Sequence, residues 1–96
     1  MSSRAGGGRR GRMKKIRLSR HALFQCQERG TNEREVIDAV CNGAHEVVKE
    51  GRSMYRYEVK YLSRWQGHFY ATKQIAPIVV EEKDEIVVVT VYTFYY

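Results

Sequence analysis

"EREVIDAVCNGAHEVVKEGRSMYRYEVKYL", residues 33–62, changes its periodicity at Gly43, and that change decides the fold. Before the glycine, Val36, Ile37 and Val40 recur at helical spacing; after it, apolar and polar residues alternate. Over 53–62, alternation sends Tyr55, Tyr57, Val59 and Tyr61 to one face and Arg56, Glu58 and Lys60 to the other. A short amphipathic helix therefore gives way to a half-buried strand.

Toward the N-terminus, Asn32 sits where a helix cap belongs, and Glu35 three residues on is placed to complete a capping box. Gly30 ends an earlier helix that Ser19 caps and that runs to about Arg29. "KKIRL" at 14–18 reads as a short strand or an extended lead-in.

Toward the C-terminus, "HEVVKE" (45–50) is a strand, "GR" (51–52) a tight turn, and "SRWQG" (63–67) a second turn. "HFYATKQIAPIVV" (68–80) returns the chain; Pro77, lacking an N–H, predicts an edge strand, a bend or a bulge there. "EEKDE" (81–85) is a charged hairpin turn. The near-unbroken β-branched and aromatic run "IVVVTVYTFYY" (86–96) predicts a central strand buried on both faces. The expected architecture is α+β, with two N-terminal helices packed on one face of a twisted four-stranded antiparallel sheet.

With 96 residues the chain has room for one domain and one small core. Its net charge of +6 is unevenly placed. Residues 1–17 carry seven basic side chains and no acid, whereas the remaining 79 carry 10 basic and 11 acidic ones. "SSRAGGGRRGR" (2–12) has too little apolar surface to offset the entropy of ordering. Residues 1–13 are therefore expected to be a disordered basic tail, either holding phosphates by charge or merely solvated, and 14–96 a single domain. No apolar run reaches membrane-spanning length, and none follows the basic start as a signal peptide requires. A cytoplasmic protein with no membrane partner is the expectation, and the two cysteines provide no disulfide framework.

His21, Cys26, Cys41 and His45 have the residue types of a zinc site but not its spacing. His21 and Cys26, five apart on a helix, diverge by about 140°. Neither metal nor cofactor is expected; both cysteines read as small apolar residues between the two helices. "RSMYRYEVKYLSRWQGHFYATK" (52–73) interleaves cations with aromatic rings, the mixture that binds single-stranded nucleic acid. Alternation assigns the tyrosines of 55–61 to the helix-covered face, which leaves Arg56, Arg64, Trp65 and His68 as candidate RNA contacts. In "HALFQCQERG" (21–30), His21 and Arg29 lie about 12 Å apart along a helix axis, on loosely the same side. Composition alone does not separate a catalytic pair from the solvated side of a helix.

"LSRHA" (18–22), "RG" (29–30), the helix ending in "NG" (42–43) and "VTVY" (89–92) together resemble a widespread family of uncharacterised short bacterial domains. That family is grouped with the RelE-like toxins, in the barnase–EndoU–colicin–RelE class of metal-independent ribonucleases. The resemblance covers roughly residues 16–93 and implies a RelE-like fold. It also implies RNA cleavage through the 2′-hydroxyl, which needs a base, cations for the phosphate and an acid for the leaving oxygen. Carried onto this sequence, it makes His21, Arg29, Thr90 and Tyr92 the catalytic candidates and Arg56 a basic position beside them. The implied partners are RNA, ribosome-associated RNA included, and an antitoxin protein. The alternative is a non-catalytic module of the same fold that binds RNA or a protein, including by pairing an exposed edge strand with another chain.

Overall fold

The computed structural model describes residues 14–96. The basic segment 1–13, expected to be a disordered tail, lies outside the described residues. In chain order the elements are β1 (Lys15–Leu18), α1 (Arg20–Arg29), α2 (Glu33–Asn42), β2 (Ala44–Lys49), β3 (Arg52–Trp65), β4 (His68–Glu81) and β5 (Glu85–Tyr95). The helix ends are chemically specified. Ser19 Oγ accepts from the Ala22 N–H and Asn32 Oδ1 from the Glu35 N–H, while Gly30 takes the left-handed conformation at φ 76°. Glu35 does not close a capping box. Its carboxylate instead accepts from the Thr31 hydroxyl at 2.8 Å and pairs with Lys73 Nζ at 2.8 Å, a stronger attraction than a solvated cap N–H.

The sheet has five strands in the order β1-β5-β4-β3-β2, and it is mixed. This corrects the expected four-stranded antiparallel sheet: β1 pairs in parallel with β5, Lys15 beside Glu85 through Leu18 beside Val88. Ile16 and Leu18 thereby join Ile86 and Val88 over the core. A four-residue segment gains its strand character from that distant partner, so its own periodicity carries almost no signal. The other pairings are antiparallel.

Both helices cover one face. Ala22, Cys26, Val36, Ala39 and Val40 meet Leu18, Ile75, Val79, Val88 and Val91 in one cluster, with Tyr55, Tyr57 and Val59 against its border. Cys26 belongs to this core, and burial raises its thiol pKa. Cys41 does not; it is exposed on the outer side of α2, which corrects its expected place between the helices. Lys73 is buried among these groups with 5% exposure, held by Glu35 and by the Gly30 carbonyl at 2.9 Å. Among the described residues, no helix is long and apolar enough to cross a membrane.

Pro77 lies in β4, an interior strand, and the ladder slips beside it. Ile78 pairs with Thr90, but the next residue, Val79, pairs with Val88, so Val89 is the extra residue of a β-bulge. The bulge inverts the phase of β5. Ile86 and Val88 face the helices before it; Val91 does so after it, followed by Thr93 and Tyr95. Thr90, Tyr92 and Phe94 are sent to the opposite face. β5 is therefore buried on both faces, as its composition suggests, only at Val87 and Val88; beyond the bulge Tyr92 is 36% exposed and Phe94 44%.

Candidate nucleic-acid interface

α1 runs alongside β5 and is fastened to it along its length. The Ser19 N–H donates to the Val88 carbonyl at 3.0 Å. β1 ends opposite Val88, so the next inward N–H on that border of β5, at Val91, lacks a strand partner. Gln25, itself buried, supplies the acceptor: its Oε1 takes the Val91 N–H at 2.8 Å. At the end of the helix the Thr93 and Tyr95 hydroxyls both donate to the Arg29 carbonyl, at 2.9 and 2.7 Å. Burial raises the Tyr95 phenol pKa, which keeps it a donor.

These anchors place the candidates of α1. His21 is exposed in the turn between the Ser19 and Gln25 anchors, so it lies alongside the Val88–Val91 segment. Arg29 stands one turn beyond Gln25. Its carbonyl is clasped by Thr93 and Tyr95 on the helix side, yet its guanidinium carbon lies 5.4 Å from the centroid of the Tyr92 ring. The helix end thus straddles the border of β5 and sends a cation to the other face. Arg29 Nε is buried and has no hydrogen-bond partner among the described residues.

On that other face Thr90 and Tyr92 stand on the same side of β5, as alternation predicts once the bulge is passed. Arg56 of β3 shares the face. Its Nε donates to Glu46 Oε1 at 3.0 Å and its Nη1 to Gln74 Oε1 at 2.9 Å, and its guanidinium carbon lies 6.0 Å from the Phe94 ring centroid. Phe94 was not among the sequence candidates. Its signal was its position, two residues after Tyr92 on the same strand face; the two rings are near-parallel, 25° apart in plane and 6.4 Å between centroids. Beyond Phe94, the Tyr96 hydroxyl donates to Glu58, which also accepts from Gln74 at 3.3 Å.

Arg64, Trp65 and His68 belong to a different place, the turn between β3 and β4. Arg64 Nη1 donates to the Gly67 carbonyl at 3.2 Å, and the Tyr61 hydroxyl donates to the Arg64 carbonyl at 3.0 Å. His68 is exposed, 6.3 Å from Tyr70. Trp65 stacks on Tyr95 at 5.1 Å and 17°. It also abuts Gly30 so closely that a Cβ there would come within 2.5 Å of its ring. The ring of Trp65 is thus a buttress for the end of α1. Among the described residues, no three His, Cys, Asp or Glu side chains cluster as a metal site. His45 instead shares a hydrogen bond with Ser53 Oγ at 2.9 Å.

A family model described as Domain of unknown function (DUF4258) matches residues 18–93. The chain belongs to that family. The matched span holds His21, Gln25, Arg29, Arg56, Thr90 and Tyr92, and stops one residue before Phe94. Comparison with curated proteins and with solved structures gives no match.

Proposed function

We propose that the protein targets RNA at the border of β5 and cleaves it without a metal, in the manner of a toxin-like endoribonuclease. The observation that carries this reading is the delivery of Arg29 across the sheet border onto Tyr92. A cation, an aromatic hydroxyl and the helix bearing His21 then flank one strand segment. The sequence resemblance to the RelE-like ribonuclease class supports the same assignment. In the reaction His21 takes the proton of the 2′-hydroxyl, whose oxygen attacks phosphorus. The P–O5′ bond breaks and the leaving oxygen takes a proton, for which the Tyr92 hydroxyl is the candidate acid. Arg29 holds the phosphate charge, Arg56 and Thr90 lie on the approach, and a 2′,3′-cyclic phosphate remains. Ribosome-associated RNA as substrate and an antitoxin as protein partner fit this reading.

Purified protein incubated with RNA and a chelator tests it. The expected result is cleavage leaving cyclic phosphate ends, resistance of DNA, and a loss of about a hundredfold or more in His21→Ala. Full activity in a folded His21→Ala protein would overturn the catalytic role.

A second reading, a non-catalytic module binding RNA or a protein, is favoured by one observation. Arg56 is fixed by Glu46 and Gln74 with Nη2 left over, which suits a static contact for a ligand and gives it no part in proton transfer. This reading expects no cleavage, and binding weakened more by Arg56→Ala than by His21→Ala.

A further inference from the structure

We infer that Tyr92 and Phe94 form a two-base stacking platform selective for single-stranded over duplex RNA. This inference rests on the RNA-targeting reading and adds to it the conformation of the ligand. Three observations carry it. First, both rings are exposed on a sheet face that neither helix covers, although an aromatic pair of this size would ordinarily be buried.

Second, each ring has its own guanidinium over one of its faces, Arg29 over Tyr92 at 5.4 Å and Arg56 over Phe94 at 6.0 Å. A base stacked on the face that the cation leaves free has that cation within reach of its phosphate, the pairing by which single strands are held. Arg56 Nη1 and Nε are occupied by Gln74 and Glu46, which fix the fork in place and leave Nη2 for the ligand. Third, the ring centroids are 6.4 Å apart. That is nearly twice the roughly 3.4 Å step between stacked bases in a duplex strand, so consecutive bases reach both rings only when unstacked. Bases inside a duplex present no free π-face at all.

The platform is short. Glu58, held by Tyr96 and Gln74, places a carboxylate just past Phe94, where a third phosphate would be repelled. Two nucleotides are therefore gripped, and the strand leaves the sheet beyond them.

The test measures fluorescence anisotropy of a labelled eight-nucleotide RNA, free or annealed to its complement, with the full chain. Wild type should bind the single strand in preference. Phe94→Leu, which keeps apolar bulk but removes the π-face, should weaken single-strand binding about tenfold and leave duplex binding unchanged. Phe94→Trp should retain it. Circular dichroism confirms that each variant is folded. Single-strand binding unchanged in Phe94→Leu, or equal affinity for the duplex, overturns the platform. If cleavage still depends on His21 in that case, the proposed function stands without it. A wild type that neither binds nor cleaves RNA overturns both.

Discussion

Replacing Gln25 by Met isolates the bond on which the placement of α1 depends. Gln25 is 6% exposed, and its Oε1 is the acceptor for the buried Val91 N–H at 2.8 Å. Methionine is unbranched and of similar length, so it fills the same space and removes the amide and with it the acceptor. Val91 lies in the core, between Thr90 and Tyr92, and water has no open route to its amide. Leaving that donor unpaired costs about 1–3 kcal/mol. For a domain of this size each kcal/mol lowers the melting midpoint by about 4–8 °C, so the midpoint should fall by about 5–20 °C. Thermal unfolding followed by circular dichroism measures it. The proposed RNA cleavage, assayed well below the variant's midpoint, should also fall, because Arg29 one turn later would lose its register over Tyr92. A variant melting within a degree or two of wild type would refute the reasoning, since Val91 would then have another partner.

The Lys73–Glu35 pair predicts an asymmetry. Glu35→Ala leaves the Lys73 ammonium buried with only the Gly30 carbonyl and the Tyr61 ring 5.3 Å away. It should cost about 2–3 kcal/mol, less than a fully buried pair because Glu35 is partly exposed. Lys73→Met leaves Glu35 with Thr31 and solvent and should fall within about 1 kcal/mol of wild type. Urea titrations giving the reverse order would contradict this. Near the start of β5, Arg17 donates two hydrogen bonds to Glu85, at 3.2 and 3.0 Å, and holds that carboxyl below the usual value. The contribution is complete above the unfolded-state value and is lost as pH falls through the lower folded value. Stability measured against pH should show a shallower acid decline in Glu85→Gln; an identical profile would remove Glu85 from the account.

The local chemistry of the chain was legible. Ser19, Gly30 and Asn32 act at the helix ends as their residue types require, and the alternation of 55–60 correctly divides the faces of β3. Glu35 illustrates the limit. Its spacing from Asn32 suited a capping box, but Lys73, from a strand far along the chain, offers a buried opposite charge. β1 was obscure for the same reason, since its partner is the last strand. Three consecutive valines have no period, so neither the bulge at Val89 nor the exposure of Tyr92 and Phe94 could be read from them. Of the candidate site residues, Arg29 and Tyr92 are in contact, and Arg56 shares their face through Phe94. Trp65 carried an ambiguous signal because a ring that buttresses a helix end and one that stacks a base look alike in sequence.

Val87, Val88 and Val89 are nearly interchangeable in chemistry, but of the three only Val89 has no partner in β4. If the ladder between β4 and β5 instead ran on past Val88 without the slip, Val89 would pair with Ile78 and each later side chain would change sides. Val91, Thr93 and Tyr95 would then point to solvent, and Arg29 would lose the hydroxyls that hold its carbonyl. Tyr92 and Phe94 would turn toward the helices. Exchanging one of the three for isoleucine adds a single methyl group; drawing Val89 into the ladder would exchange the two faces of the rest of the strand. The one valine left out of the ladder thus sets which face each later residue of β5 presents.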